Sequence, residues 1–177
     1  MCSCQSSLQM GDLLFHVADQ NNAITDVTPG MIDHVAVYVG NKQVIEAIGI
    51  GVTTTSLAQL KKREKGYYLI GKVIEADCKK SVQNCFSYLG RKYDNLYLPD
   101  NDEIYCSELV ALAYVDKDGN KIFAPIPMSF HDSNGQVTPY WIQFYEQHGM
   151  KVPEGKPGTN PGELSKRKNV RIIGKLY

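Results

Sequence analysis

The chain has no apolar run near the ~18–20 residues that a membrane-spanning helix needs, and no apolar stretch at its start that could form the core of a signal peptide. It also lacks a charge bias. Lys plus Arg number 19 and Asp plus Glu number 19, so the formal net charge is zero. With no long basic run to line a phosphate groove, nucleic-acid binding is not expected. The 11 tyrosines are scattered, which fits buried rings and a polar cleft better than base stacking. Five cysteines in 177 residues are too few for a disulfide framework. Cys78 and Cys85 stand two helical turns apart and are expected to pack as small hydrophobes. Cys2-Ser3-Cys4 has no matching His or Cys cluster for zinc, and Asp116–Asn120 lacks the spacing and closing glutamate of a calcium loop. No metal and no cofactor is expected. Internal repeats are absent.

What remains is an ordinary composition, 43% apolar and 21% charged, enough for one hydrophobic core. Residues 1–10 are expected to be a flexible tail and residues 11–177 a single domain. The start, Met1-Cys2-Ser3-Cys4-Gln5-Ser6-Ser7, reads like the small polar tether of a mature exported protein. Cys2 and Cys4 are therefore candidates for a lipid anchor, and a bacterial cell envelope is favoured over the cytoplasm.

Gly11-Asp12-Leu13-Leu14-Phe15 reads as a turn entering a strand, and Thr28-Pro29-Gly30 as a loop. Val35–Val39 and Val44–Ile48 flank Gly40-Asn41-Lys42 as a β-hairpin, with a further strand at Val52–Thr55. Ser56 can cap a short helix through Leu57 and Leu60 whose Lys61–Lys65 stretch is a charged face. A strand over Tyr67–Ile74, a helix over Lys79–Leu89 and a polar, aromatic-rich loop over Arg91–Asn101 follow. Leu109, Leu112 and Ala113 predict a core helix over Ile104–Val115. Beyond Pro125 the chain is loop-rich, with a helix over Pro139–Gln147, an irregular Lys156–Gly162 and a last strand at Val170–Ile173. Runs of strands and helices in this order imply an α+β fold with an antiparallel sheet packed against helices.

Cys106 and His34 carry the chemistry. A cysteine attacks as its thiolate, which a helix N-terminus and a neighbouring imidazolium both favour. Cys106 lies near the start of its predicted helix, with Asp100, Asn101 and Asp102 as candidate caps. His34 opens an apolar strand, a rigid place for a base. A base also needs a partner on its second ring nitrogen. A three-residue loop Gly40-Asn41-Lys42 would set Ala36 opposite Glu46 and make His34 and Glu46 same-face diagonal neighbours, somewhat under ~7–8 Å apart. A two-residue loop would turn Glu46 to the far face. Glu108 and Asp94 are candidates to bind a substrate amine, or to serve as helix and loop salt-bridge partners.

These residues resemble a known family. His34-Val35-Ala36-Val37-Tyr38-Val39-Gly40 followed by Val44-Ile45-Glu46-Ala47 is similar to the histidine hairpin of NlpC-type cysteine peptidases, and Tyr105-Cys106-Ser107-Glu108-Leu109-Val110 to their nucleophile helix. In most members the cysteine comes first. Histidine first resembles the circularly permuted branch, which holds YiiX/YebB-like hydrolases and lecithin:retinol acyltransferase-like enzymes. Gly11–Phe15, Leu89-Gly90-Arg91-Lys92-Tyr93-Asp94 and Thr159–Ser165 match the YiiX/YebB-like group, and the Asn-Cys-Glu-His of the acyltransferases is absent. The resemblance spans roughly residues 11–165. It implies a permuted papain-like fold, Cys106 as nucleophile at a helix N-terminus, His34 as base and Glu46 as its orienter. The resemblance implies the Cys106 backbone N–H as an oxyanion donor, and Tyr93 falls where relatives place a tyrosine bordering the oxyanion site, as a hydroxyl donor, a backbone donor or a pocket wall. The activity implied is cleavage of an amide bond in a small or cell-wall-derived peptide. Two alternatives are a lipid acyl hydrolase or acyltransferase, which predicts an exposed apolar rim beside Cys106, and a catalytically silent peptide-binding module.

Overall fold

The computed structural model describes residues 8–18, 32–63 and 65–176. Cys2, Cys4 and the Thr28-Pro29-Gly30 loop signal lie outside the described residues. Strands β1 (Leu13–Val17), β2 (Ile32–Gly40), β3 (Gln43–Ile48) and β4 (Gly51–Ser56) lead into helix α1 (Leu57–Arg63) and strand β5 (Tyr67–Val73). Helices α2 (Cys78–Ser87) and α3 (Cys106–Ala113) follow. Then come the two-residue strand β6 (Ile126–Pro127), α4 (Pro139–Gln147), the two-residue strand β7 (Pro157–Gly158), α5 (Pro161–Ser165) and β8 (Val170–Lys175).

Six strands form one antiparallel sheet in the order β4-β3-β2-β1-β5-β8, with β6 and β7 pairing separately. The fold is α+β. β1 lies between β2 and β5 and is buried along its length, alternate side chains feeding two cores. Leu13, Phe15, Val35, Val37 and Ile45 pack against Leu109, Val110 and Ala113 of α3 and Leu164 of α5. Leu14, Ala36, Val44 and Ile70 pack with Leu60 of α1. Burying a leucine or valine in such a core is worth roughly 1.5–3 kcal/mol, and this packing holds α3 on the sheet beside β2. Among the described residues no helix is long and apolar enough to cross a membrane.

The β2–β3 hairpin reaches the expected register by an unexpected route. The loop has two residues rather than three. Asn41 (φ 53°) and Lys42 (φ 58°) are both left-handed, as a type I′ turn requires, and Gly40 pairs with Gln43. That loop alone would turn Glu46 to the wrong face. A bulge between Tyr38 and Gly40 adds one residue to β2 and restores the parity. Val37 therefore faces Ile45 and Tyr38 faces Val44, which carries Ala36 opposite Glu46.

Two further expectations are corrected. The nucleophile helix starts at Cys106, later than predicted, because Ile104 is tied into an extended bridge with Tyr93 and donates its N–H to the Lys92 carbonyl at 2.9 Å. The segment Lys156–Gly162 is not irregular throughout. It forms β7, and Asn160 caps α5 by accepting the Glu163 N–H at 2.8 Å ahead of Pro161. The helix over Pro139–Gln147 forms with the predicted ends. Ser56 caps α1, accepting the Gln59 N–H at 3.1 Å while the Gln59 side chain accepts the Ser56 N–H at 3.2 Å.

The bulge makes a test. Deleting Val39 while keeping the Asn41-Lys42 turn shifts β3 by one residue against β2, driving Glu46 toward the helix-covered core and Ile45 away from it. Chemical denaturation should show a loss of roughly 3 kcal/mol or more for the deletion, against under about 1.5 for Val39→Ala, which preserves residue count.

Candidate active site

Cys106 is the first residue of α3 and is buried, with 7% of its surface exposed. At that position its backbone N–H has no acceptor within the helix. None of Asp100, Asn101 and Asp102 caps α3. The cap position is Tyr105, whose side chain makes no capping bond. Asn101 instead accepts the Glu103 N–H at 3.1 Å and donates to Asp94 at 3.2 Å. Glu108, at the third helical position, interacts with the Tyr105 backbone N–H, which is half of a capping box.

The His34 ring meets Glu46 on one side and Cys106 on the other. Its Nε2 lies 2.7 Å from Glu46 Oε1, which leaves Nδ1 for the thiol. Glu46 has no exposed surface. Arg63, at the end of α1, grips the same carboxylate with both terminal nitrogens, at 2.8 Å to Oε1 and 2.8 Å to Oε2. This two-pronged geometry is specific to arginine. Burial alone would lower the His34 pKa, but hydrogen bonds to Cys106 and Glu46 override it and raise it to about 10. Burial alone would raise Glu46, but the bonds from His34 and Arg63, with a smaller one from Thr55, bring it down to about 2. Imidazolium and carboxylate thus remain charged between those limits.

Tyr93 borders the same cleft as Cys106. Its phenol is pushed well up, first by burial and then by negative charge at Cys106, and it shares a hydrogen bond with Tyr97. Tyr97 sits at φ 53°, a costly conformation for a bulky side chain and of a kind that collects at functional sites. The cleft has a volume of about 200 Å³ and is part-open to solvent. Its walls come from the loop carrying Tyr93 and Tyr97, from Tyr105 and Ser107 flanking the cysteine, from Ile126–Phe130, from Trp141 of α4 and from Thr159–Pro161. Asp33 lines it too, held by His16 Nδ1 at 2.6 Å, while His16 Nε2 donates to the Lys65 carbonyl at 2.8 Å. Gly158 lies behind this wall. A Cβ there would collide with the Met128 side chain and come within 3.0 Å of the Tyr105 hydroxyl.

Of the residues singled out from sequence, Cys106, His34, Glu46 and Tyr93 come together, and Asp94 and Glu108 do not join them at the cleft. Asp94 is fully buried, and its oxygens accept the Leu96 and Leu98 N–H groups, both at 2.9 Å. It organises its loop. Glu108 Oε1 is buried without a hydrogen-bond partner among the described residues. Burial, then the charges of Asp94 and Asp100, push its carboxyl up to about 8. Arg63, Asp33, Tyr97 and Trp141 were missed. For Arg63 the available signal was chemical: a buried carboxylate needs more donors than one imidazole supplies. Cys85 is buried in the main core with its thiol raised to about 12, and Cys78 is half-buried.

Three comparisons with known proteins bear on this arrangement. The model of the permuted papain-like amidase family, YaeF/YiiX, C92, matches residues 7–174. The YiiX protein of Escherichia coli (strain K12) is 31% identical over 181 residues, covering 96% of this chain and 87% of that one. The crystal structure of yiiX from Escherichia coli O157:H7 aligns with a TM-score of 0.75 at 25% identity, over 94% of this chain and 97% of that one. That protein is described as a metalloprotein. Among the described residues of this chain, no three His, Cys, Asp or Glu side chains cluster as metal ligands.

The charged chain from His34 through Glu46 to Arg63 has a signed pH dependence. Its His34 part stabilises fully below the free value of 6.5 and is lost as pH rises through about 10. Its Glu46 part is present above 4.5 and lost as pH falls through about 2. In Glu46→Gln, nitrogen NMR of the ring should show His34 titrating well below about 10; an unmoved titration would deny that Glu46 holds the proton there. Arg63→Met should shift the acid-unfolding midpoint upward, because Glu46 then protonates at higher pH.

Proposed function

The chain belongs to the YaeF/YiiX family of permuted papain-like amidases, and from that premise we propose that it is a thiol-dependent amide hydrolase acting on small peptides, with cell-wall-derived peptides among the candidates. The observation carrying this reading is the 2.7 Å contact between His34 and a fully buried Glu46, with the other side of the ring turned to Cys106. A structural histidine has no need of a charged partner held by an arginine on one side and a thiol on the other.

In this mechanism the Cys106 thiolate attacks the amide carbonyl carbon. The developing oxyanion takes hydrogen bonds from the Cys106 backbone N–H and the Tyr93 hydroxyl, whose raised pKa keeps it a donor. The C–N bond breaks as the protonated His34 gives its proton to the departing amine, leaving a thioester on Cys106 and a neutral ring. Water attacks the thioester, His34 takes a proton from it, and the acid leaves as the thiolate–imidazolium pair is restored. Glu46 holds the ring in position throughout and favours its protonated form.

A second reading shares the thioester and differs in substrate: a lipid acyl hydrolase or acyltransferase. It is favoured by the apolar surface beside the cleft, where Tyr140 of α4, 51% exposed, packs edge-on against Trp141 with centroids 5.0 Å apart. A silent peptide-binding module would have no use for an intact Cys106, His34 and Glu46.

Wild type and Cys106→Ala, incubated with peptides including peptidoglycan fragments and with phospholipids and esters, should separate these readings by mass spectrometry of the products. Amide cleavage should fall on the order of 10⁴-fold or more in the alanine variant. Cleavage confined to esters would favour the lipid reading. Iodoacetamide should modify Cys106 ahead of Cys85 on peptide mapping, since Cys85 is buried with its thiol raised to about 12. No turnover and no Cys106 adduct would overturn the enzyme reading.

A further inference from the structure

Cys106, His34 and Glu46 do not sum to zero charge when they are ready to react. The thiolate and the imidazolium cancel, and the carboxylate is left over, with no exposed surface through which water could share its charge. Arg63 supplies the missing cation. It reaches Glu46 from the last position of α1 with both terminal nitrogens, each at 2.8 Å. Four charges then alternate through the site, thiolate, imidazolium, carboxylate and guanidinium, and their sum is zero. The same count holds after acylation. The proton leaves His34 with the amine, the sulfur is bound in the thioester, and the Glu46–Arg63 pair that remains is again neutral.

The other groups facing this set leave that count unchanged. Thr55 of β4 adds only a neutral hydroxyl bond to Glu46. On β1, His16 stands opposite His34 in the ladder. Its Nε2 must carry a proton, because the Lys65 carbonyl at 2.8 Å can only accept. A further proton must lie in the 2.6 Å contact between Nδ1 and Asp33, so that pair is neutral in sum whichever partner holds it. The phenols of Tyr93, Tyr97 and Tyr105, which feel the charge at Cys106, are pushed up by burial and stay neutral.

The placement of Arg63 is built into the fold. Leu60, one turn earlier, anchors α1 in the core on that side of the sheet. The connection after Arg63 is pinned two residues on, where His16 donates to the Lys65 carbonyl. Gly66 then sits at φ 113°, and a Cβ there would collide with the Val17 carbonyl oxygen and come within 3.1 Å of His16 Nε2. We propose that Arg63 is a positioning residue for catalysis that acts through Glu46: its charge keeps the site neutral while the nucleophile is ionised, and so sets the pH range in which Cys106 reacts. The proposal rests on the Cys106–His34 chemistry of the amide-hydrolase reading and not on its substrate. Removing the cation leaves one uncompensated negative charge, and the site relieves it by binding a proton more readily. Both limits of the reactive range therefore move upward. The acid limit rises because a proton is taken up sooner as pH falls, and the base limit rises because His34 keeps its proton longer.

The rate at which iodoacetamide modifies Cys106, followed by peptide mapping across a pH series, tests this without a substrate. Arg63→Met should move the acid limit of that rate up by about one pH unit or more, a loss of about tenfold or more below it, while the alkaline rate stays near that of wild type. Arg63→Lys keeps the charge and loses the two-pronged grip, and should return the acid limit toward wild type. Glu46→Gln/Arg63→Met removes one charge of each sign and should do so as well. An acid limit unmoved in Arg63→Met, or moved equally in Arg63→Lys and in the double variant, would overturn the proposal. A rate lowered by one factor at every pH would reduce Arg63 to a structural support and overturn it too. If Arg63→Met does not fold, Glu46→Gln carries the test with the opposite sign: it leaves an unbalanced cation, so its acid limit should fall below that of wild type, and a rise would sink the idea. The expected pH behaviour with no amide cleaved would end the hydrolase reading and leave the role of Arg63 standing. Amide turnover whose acid limit ignores Arg63 would do the reverse.

Discussion

Glu46 is ionised with none of its surface in contact with water. A carboxylate in that position is costly unless every lone pair finds a donor, and removing one donor leaves a penalty of several kcal/mol. The His34 bond and the two Arg63 bonds, with a smaller one from Thr55, meet the requirement. The bonds from His34 and Arg63 set the site. They fix the His34 ring, they favour its protonated state, and they tie the end of α1 to the middle of β3. A neutral residue at position 46 would be cheaper for the fold and would leave the ring free to turn, so the cost of the buried charge is offset by a histidine held in one orientation.

That requirement reaches back into the backbone. His34 and Glu46 meet because of hairpin register, and the register is the sum of two local irregularities. A two-residue I′ turn alone gives the wrong parity, and the bulge at Val39 corrects it. Cys106 is supplied separately, by a helix that starts one residue after an extended segment bonded to Tyr93 and Lys92. The nucleophile, the tyrosine beside it and the loop organised by Asp94 are therefore one connected unit. Packing of Leu109 and Val110 on β2 and β3 brings that unit against the hairpin.

The legible part of this architecture is the part written in short-range pattern. Two apolar runs flanking Gly40-Asn41-Lys42 marked β2 and β3, helical spacing marked α3, and the Pro139–Gln147 helix was visible at both ends. His34, Glu46 and Cys106 could be singled out because each sits at a fixed place in such an element. The loop length was misread, since Gly40-Asn41-Lys42 is compatible with either hairpin and only the pairing decides between them. Arg63 was hidden for a different reason. It stands in a basic stretch, Lys61–Lys65, that reads as a solvated face, and its partner lies 17 residues away across a strand and a helix. Aperiodic segments were the least legible. Nothing local in Ile126–Phe130 or Thr159–Pro161 announces that they line a cleft, because what brings them there is the Thr159 contact with Tyr105 and Ser107, which spans more than fifty positions.

Those long-range contacts divide the molecule's work. The chemistry comes from the hairpin, α1 and the start of α3, all before position 115. Most of the apolar wall comes from the stretch between Ile126 and Pro161, which follows the nucleophile helix and is joined to it through Thr159. The wall depends on the nucleophile helix for its position, while His34, Glu46 and Arg63 are held by bonds to one another. A change at Met128 or Trp141 can therefore reshape what the cleft accepts without disturbing the charge relation that governs His34. The permuted order makes this separation possible: with histidine and glutamate placed early on one hairpin, the segment after the cysteine is released from supplying a base and is available to form a pocket.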